Sequence, residues 1–130
     1  MNDNVKSVIT CDLDGKVETF SEGAAALFGY SEQEVVGKMR VSDFSDGQVV
    51  LGHVLGWLDE SVKKGKWEGE TAFLKKDGSE FSAKIKITPT KDKEGNHIGY
   101  CGVTTPLKDK EPDEVRPKID LMTQIFTWVV

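Results

Sequence analysis

The chain has 130 residues, of which 38% are hydrophobic and 30% are charged, and its formal net charge is -5. This length accommodates one domain with a single core and a short appendage, and the composition is that of a globular protein rather than a disordered one. Because the charges are scattered and form no Lys/Arg block, nucleic-acid binding is disfavoured.

The N-terminal segment predicts a β-hairpin. β-Branched residues dominate positions 5–11, and a second short run follows over 16–20. Between them, Asp12-Leu13-Asp14-Gly15 combines the Asx and glycine residues that favour a tight turn. Because no further carboxylates complete a calcium loop, we interpret these aspartates as turn residues and not as metal ligands.

Two short helices are predicted next. Ser21 can cap a helix over 22–28, since its hydroxyl can accept a hydrogen bond from a free N–H of the first turn. Ser31 is followed three residues later by Glu34, which matches a capping box for a second helix that ends near Gly37.

The longest helix of the main domain is predicted over 48–62, after a turn-like segment over 39–46. Its apolar residues recur at helical spacing, which indicates one buried face. They are Val50, Leu51, Val54, Leu55, Leu58 and Val62. Gly65 is predicted to end the helix.

From residue 68 onward the apolar period changes from about 3.6 to about 2, which predicts strands. A strand over 69–75 leads into Lys76-Asp77-Gly78-Ser79, where Asp-Gly supplies the positive backbone angles of a tight hairpin. The returning strand has one buried and one wet face. Phe81, Ala83, Ile85 and Ile87 alternate there with Ser82, Lys84, Lys86 and Thr88. Pro89 is predicted to close this strand.

A polar loop over 90–96 precedes a last strand over 97–105. In that strand Ile98, Tyr100, Gly102 and Thr104 face one way. Two strands, then helices, then three strands is an order that belongs to the α+β class. We therefore expect a five-stranded antiparallel sheet with short helices packed on one face, and the hairpin and returning strand of 68–104 as its firmest part.

Residues 108–130 are expected to lie outside this main domain, which spans 1–107. The charged segment 108–118 contains two prolines and predicts an extended linker. The segment 119–130 is largely apolar and predicts a helix that needs a partner, with Ile119, Met122, Phe126 and Val129 at heptad-like positions. Three interpretations stay open: the helix packs on the sheet or on a second copy, begins a coiled coil towards an output domain, or begins a membrane segment.

Six segments carry a family resemblance. They are Asp12-Leu13-Asp14-Gly15-Lys16-Val17, Ala26-Leu27-Phe28-Gly29-Tyr30-Ser31-Glu32-Gln33-Glu34, Val36-Gly37-Lys38, Gly65-Lys66-Trp67-Glu68-Gly69-Glu70, Lys75-Lys76-Asp77-Gly78-Ser79-Glu80-Phe81, and Gly95 with Ile98-Gly99-Tyr100-Cys101-Gly102-Val103-Thr104. In this order they resemble a PAS domain of the kind common in bacterial and archaeal signalling proteins, over about residues 5–107. Many family members end the last strand with Asp-Ile-Thr, where this chain has Thr105-Pro106-Leu107.

The resemblance implies a sensory or regulatory domain without catalytic activity. Such a domain senses a small ligand or a partner and transmits the change through dimerisation and its C-terminal segment. The expected partners are a second copy of the chain, an output domain of a longer protein, and a small-molecule ligand. A ligand-free structural dimerisation module is one alternative.

Another alternative is a haem-binding gas or redox sensor that uses His53. This residue lies on the predicted long helix, near the place where haem-binding PAS domains supply the histidine that ligates iron. A neutral imidazole suits haem iron, but a histidine at the edge of the core that bonds locally is the commoner case. No other metal ligand is expected.

Flavin is also disfavoured as a cofactor. Flavin-binding relatives often carry an asparagine in the third strand, whereas this chain has Thr71-Ala72-Phe73-Leu74. The light-sensing subfamily uses a cysteine on a helix, and neither Cys11 nor Cys101 lies on a predicted helix. The cofactor therefore stays open, with none expected ahead of haem or flavin.

Seven residues are candidates for the wall of an apolar ligand pocket. They are Phe28, His53, Val54, Trp57, Phe73, Ile85 and Tyr100. Small-molecule pockets are mostly apolar with a few polar groups. The same residues also suit a densely packed core, which is the default for these residue types.

The sequence favours a reducing, cytoplasmic setting. The N-terminus has no basic start followed by an apolar run, so no secretory signal is predicted. Cys11 and Cys101 are far apart and match neither a zinc site nor a disulfide scaffold. Attachment to a membrane protein through the C-terminal segment stays an expectation. Because the sequence shows no nucleophile triad, phosphate loop or metal-spaced His/Cys cluster, no enzyme is expected.

Overall fold

The computed structural model of the protein describes residues 6–45 and 51–115, except for the side chains of residues 51–55 and 113. The predicted apolar helix over 119–130 and the predicted core residue Val50 lie outside the described residues. The strands are β1 (Ser7–Asp12), β2 (Val17–Phe20), β3 (Trp67–Leu74), β4 (Glu80–Lys91) and β5 (His97–Pro106). The helices are α1 (Glu22–Phe28), α2 (Glu32–Val35), α3 (Leu51–Lys64) and α4 (Pro112–Val115), with a 3-10 turn at Val41–Phe44.

The five strands form one antiparallel sheet in the order β2-β1-β5-β4-β3. β3 and β4 form the predicted hairpin, with Phe73 opposite Phe81 and Trp67 opposite Ile87. β5 returns beside β4 and then pairs with β1, so that the first and last strands of the sequence are neighbours in the sheet. The predicted α+β class and the five-stranded sheet are confirmed.

The loop between β3 and β4 is one residue longer than a two-residue hairpin turn. Lys75 donates its N–H to the Ser79 carbonyl at 2.8 Å, and Gly78 donates to the Lys75 carbonyl at 3.0 Å. Among the described residues only glycines have positive φ, and Gly78 has φ of 90°. The prediction of positive angles at both Asp77 and Gly78 is therefore wrong for Asp77. Its carboxylate instead accepts from the Ser79 N–H at 2.8 Å, and a left-handed glycine closes the loop, as is common for three-residue hairpins.

The two predicted N-terminal helices and their caps are confirmed. The Ser21 hydroxyl accepts from the Ala24 N–H at 3.2 Å and begins α1. In α2 the capping box is reciprocal: the Ser31 hydroxyl accepts from the Glu34 N–H at 3.2 Å, and the Glu34 carboxylate accepts from the Ser31 N–H at 2.8 Å. Each bond satisfies a donor that a helix end leaves free.

Helix α3 runs to Lys64 and ends before Gly65, which has φ of 89°, as predicted, but its buried stripe differs by one position from the prediction. Leu58 is 9% exposed as expected, but Val62 is 45% exposed and Ser61 is fully buried. Ser61 lies about one turn after Leu58, and its hydroxyl donates to the Leu58 carbonyl at 2.7 Å. This internal bond removes the usual cost of burying a hydroxyl, so a serine occupies the place that hydrophobicity alone assigned to Val62.

Strand β4 continues through Pro89 to Lys91, so the prediction that Pro89 closes it is wrong. β3 begins at Trp67, opposite Ile87, and Pro89 therefore lies beyond the end of β3. The Ser82 carbonyl accepts from the N–H of Leu107, in the segment after β5. The even-numbered residues of β4 therefore direct their backbone N–H and carbonyl groups towards β5, and the backbone groups of the odd-numbered residues point away from it. The missing N–H of Pro89 would therefore point away from β5, on the side where β3 is no longer present. No hydrogen bond of the sheet is lost, and this is a position at which a strand tolerates proline.

The predicted inward row of β5 is only partly correct. Tyr100, Gly102 and Thr104 lie on the inner face opposite Cys11, Ile9 and Ser7 of β1. Ile98 is 46% exposed, because the pairing of β4 with β5 shifts between Thr90 and Lys91 and interrupts the alternation at this end.

Candidate ligand cavity

A cavity of about 60 Å³ lies between the inner face of the sheet, the 3-10 turn and α3. Residues from β1, β3, β4 and β5 form its floor, and side chains from the helical side cover it. The described lining residues are Ile9, Cys11, Phe28, Val41, Phe44, Ser45, Trp57, Leu58, Phe73, Ile85, Ile87, Tyr100, Gly102 and Thr104. The wall is therefore mostly apolar, as small-molecule pockets usually are.

One end of the cavity is a dense aromatic cluster around Phe28. Its ring centroid lies 4.9 Å from that of Phe44, 5.3 Å from that of Phe81 and 5.6 Å from that of Phe73. The rings of Phe73 and Phe81 meet that of Phe28 near edge-to-face, an arrangement that stabilises aromatic pairs beyond their burial. This end of the wall is packed core.

At the other end the lining residue is Trp57, which stacks on a second indole ring behind it. Trp57 of α3 and Trp67 of β3 lie with ring centroids 4.8 Å apart and an interplanar angle of 12°. The six-membered ring of Trp67 occupies the space above Gly69, where an added Cβ would come within 2.5 Å of it. Gly69 is therefore required for the Trp67 ring to lie flat on the strand, and Trp57, which stacks on that ring, is half-buried and lines the cavity.

The polar groups of the wall are neutral. Burial raises the pKa of the Cys11 thiol to about 11, so the thiol is protonated at neutral pH. Desolvation also raises the pKa of Tyr100. Thr104 is 5% exposed and lines the cavity, and no charged side chain is among the described lining residues.

Two further hydroxyls are buried on the inner face without a hydrogen-bond partner. They belong to Ser7, opposite Thr104, and to Thr71, opposite Ala83. A buried hydroxyl without a partner is costly. These two groups give the inner face unused hydrogen-bonding capacity close to its apolar surface.

The structure brings five of the seven predicted pocket residues together in the cavity wall: Phe28, Trp57, Phe73, Ile85 and Tyr100. His53 and Val54 lie in the first turns of α3, and their side chains are outside the described part of the chain. A role of these residues in ligand binding stays a prediction.

Sequence reasoning missed the contribution of β1. Ile9 and Cys11 line the cavity because β1 pairs with β5, which places Ile9 opposite Gly102 and Cys11 opposite Tyr100. The alternation of buried and half-buried residues along Ser7–Asp12 was the available signal, but only the long-range pairing shows which residues of β5 they meet.

Neither haem nor flavin fits the cavity as it stands. Ligand pockets of ordinary size enclose about 300–1,000 Å³, several times the 60 Å³ found here. Within residues 6–45 and 51–115, no group of three or more His, Cys, Asp or Glu side chains is placed to hold a metal ion. Cys11 and Cys101 lie on β1 and β5 and not on a helix.

The opposite face of the same sheet carries the start of the C-terminal segment. The predicted extended linker contains a helical turn, α4, which packs on β3 and β4. Val115 of α4 is 8% exposed, and Ala72 of β3 is fully buried. Among the described residues, no helix is long and apolar enough to cross a membrane.

Ser82 holds the segment after β5 against the sheet, and its position differs from the prediction. It was expected on the wet face of β4 but is 3% exposed, because the chain after β5 folds back over it. Its hydroxyl donates to the Leu107 carbonyl at 3.1 Å and also contacts the Lys110 carbonyl. The Lys110 ammonium in turn donates to the Glu70 carboxylate at 2.6 Å.

The chain matches known proteins over most of its length. A family model described as PAS domain matches residues 5–105. Two-component system protein A from Emericella nidulans is 32% identical over 114 residues, which is 86% of this chain and 17% of that protein. The chain thus spans about a sixth of the length of this relative, which is a fungal rather than a prokaryotic protein.

Solved structures agree with the fold. The PAS domain of a protein from Colwellia psychrerythraea superposes with a TM-score of 0.74 at 23% identity, covering 81% of this chain and 88% of that one. The blue-light photoreceptor Aureochrome1 LOV, in its light state, gives a TM-score of 0.69 at 18% identity, covering 86% of this chain and 89% of that one. A PAS domain from a two-component sensor histidine kinase gives 0.66 at 15% identity, covering 82% and 88%. At these identities the similarity establishes the fold alone.

Proposed function

This chain belongs to the PAS domain family, and we propose that it is the sensory input module of a longer signalling protein. In this proposal a small ligand or a partner alters the packing around the cavity, and the change reaches an output domain through the segment after β5 and through dimerisation. The relative from Emericella nidulans is named as a two-component system protein and is much longer than this chain, which supports a role as one domain among several.

One observation carries the proposal: the cavity and the C-terminal segment lie on opposite faces of the same two strands. Phe73 lines the cavity, and its chain neighbour Ala72 is buried on the other face. On β4, Phe81 packs against the lining residues Phe28 and Phe73, and its chain neighbour Ser82 is buried on the other face. Because successive residues of a strand point to opposite faces, a displacement of Phe73 moves the floor on which α4 packs.

A double-mutant cycle tests this coupling. Phe73→Leu changes the cavity side, and Val115→Ala changes the contact of α4 with the sheet. Phe20→Leu is the matched control, because Phe20 is also a buried phenylalanine, at 3% exposure, but lies on β2 at the far edge of the sheet. Urea unfolding gives the free energy of each single and double variant.

We expect an interaction energy of about 0.5 kcal/mol or more between Phe73→Leu and Val115→Ala, the size found for coupled sites. The control pair should be additive within about 0.3–0.5 kcal/mol. Additivity in both pairs would contradict transmission through β3 and β4. Native mass spectrometry of the purified protein measures the oligomeric state and any retained small molecule together, and a strict monomer would contradict the dimerisation part of the proposal.

A ligand-free structural dimerisation module is the second candidate, and the dense packing of four phenylalanine rings around Phe28 favours it. The haem alternative through His53 is disfavoured by the size of the cavity. Purified protein that stays colourless in the Soret region with added haemin would eliminate it.

A further inference from the structure

The cavity is small compared with apolar cavities of known capacity. An apolar cavity of about 150 Å³ binds benzene or xenon, and a water molecule takes about 30 Å³ of liquid. The space here is about 60 Å³, or about two-fifths of the benzene-binding volume. In proportion, it has room for about two or three heavy atoms.

The chemistry of the wall restricts the ligand further. Isoleucine, leucine and aromatic side chains provide most of the contact surface, and no described lining residue is charged. A charged molecule would lose its hydration without gaining a counter-ion, which is costly. The lining residues Ser45, Tyr100 and Thr104 carry hydroxyls, which allow a weakly polar end on an otherwise apolar ligand.

The wall resists expansion at both ends. Phe28 is held by neighbouring rings on several sides. Trp57 is held by its stack on Trp67, and Trp67 in turn rests on Gly69. Because close-packed interiors yield little without loss of stability, these rings limit the length of a ligand between the two ends.

We propose that this cavity is specific for a neutral, apolar molecule of two or three heavy atoms, the size of a dissolved gas molecule, held by contacts with Ile9, Ile85, Ile87 and Trp57. This inference rests on the proposed sensory function, because it names the ligand class of the same cavity. The contact energy available per heavy atom limits such a ligand to a dissociation constant of about a millimolar, so the site responds to abundant small molecules.

Gly102 provides a way to fill the cavity without disturbing its walls. It lines the cavity between Ile9 and Ile87 on the neighbouring strands. A Cβ added there would lie 3.6 Å from the Ile85 Cδ1 and 3.9 Å from the Ile9 carbonyl oxygen, which are ordinary contacts. Gly102→Ala is therefore expected to fold and to remove ligand space. Gly56→Ala is the control, since Gly56 is exposed on α3 and a Cβ there would meet nothing within 4 Å.

The test uses xenon and benzene as probes and methyl NMR spectra of the protein as the readout. We expect xenon to shift the methyl signals of Ile9, Ile85 and Ile87 in a saturable manner, and benzene to leave them unchanged. Gly102→Ala should weaken xenon binding about fivefold or more, which corresponds to about 1 kcal/mol, and Gly56→Ala should not weaken it. The xenon and benzene comparison on the unaltered chain stands even if Gly102→Ala fails to fold.

Saturable benzene binding at these methyls would overturn the proposed size limit. Absence of xenon binding, or equal binding by Gly102→Ala and Gly56→Ala, would overturn the site itself. The coupling between Phe73→Leu and Val115→Ala needs no ligand, so its presence together with a negative xenon result would refute the ligand class and leave the proposed sensory function standing.

Discussion

Gly69 and Gly102 receive the same substitution with opposite expected results. At Gly69 an alanine Cβ would fall 2.5 Å from the Trp67 Cη2 and 2.6 Å from its Cζ2, so the indole ring must move. Loss of the stack with Trp57 costs about 0.5–1.5 kcal/mol, and the forced repacking costs about 1–3 kcal/mol. Replacing a strand glycine returns about 0.5–1 kcal/mol. The net expectation for Gly69→Ala is a destabilisation of about 2 kcal/mol.

Gly102→Ala also removes the entropic cost of a glycine in a strand, and it adds a methyl group to empty space. Its free energy of unfolding should therefore be unchanged or higher by up to about 1 kcal/mol. Urea unfolding followed by far-UV circular dichroism measures both variants, and tryptophan emission reports the displaced Trp67 ring. The midpoint for Gly69→Ala should fall, and its emission should change in the folded state. Equal stabilities for the two variants, or an unchanged emission spectrum of Gly69→Ala, would refute the view that the indole stack requires a residue without a side chain at position 69.

Three further substitutions or measurements test the core, an ion pair and a thiol. Phe28→Ala should lower the free energy of unfolding by about 3–5 kcal/mol, because Phe28 is 1% exposed at the centre of the aromatic cluster; a loss below about 1 kcal/mol in urea unfolding would contradict this packing. Hydrogen bonds from Lys76 and, second, from the Ser31 N–H lower the pKa of Glu34 from 4.5 to about 2, so their contribution to stability is present above about pH 4.5 and is lost as the pH falls towards 2; carboxyl NMR titration should show the pKa of Glu34 rising part of the way towards its usual value in Lys76→Met, and an unchanged value would refute the pairing with Lys76. Cys11 is 3% exposed with its pKa raised to about 11 by burial, so iodoacetamide at pH 8 should label it only when the protein unfolds, as peptide mass spectrometry would show; rapid labelling of the folded protein would contradict its place in the wall.

Local sequence patterns predicted the elements well because their causes are local. The capping box of Ser31 and Glu34, the cap at Ser21 and the turn glycine at position 78 depend on residues within a few positions of one another. Such short-range hydrogen bonds and backbone preferences are visible in the sequence alone. The three-residue β3–β4 loop was still misjudged at Asp77, because the length of a hairpin loop depends on which strand residues pair.

The errors have long-range causes. Ser82 looks like a solvent-facing residue of an alternating strand, and only the return of residues 107–115 over that face makes it buried. Pro89 looks like a strand terminator, and it is tolerated only because β3 begins at Trp67, opposite Ile87, and so does not extend alongside Pro89. In both cases the environment of a residue is set by a segment distant in sequence, which alternation within one strand does not reveal.

The cavity itself follows from the order of residues across the sheet. Ile9, Gly102, Ile87 and Trp67 lie opposite one another on β1, β5, β4 and β3, in that order. Three of the four carry large side chains, and the glycine between the two isoleucines leaves a gap under the helical layer. At Gly69 on the next inner row, the Trp67 ring fills the equivalent gap, whereas Gly102 has the Ile85 methyl as its nearest side-chain neighbour, at 3.6 Å from an added Cβ. Gly69 thus makes room for the Trp67 ring, on which Trp57 stacks, and Gly102 leaves the space beside it empty. The size of the cavity therefore depends on these two glycines as much as on the side chains that line it.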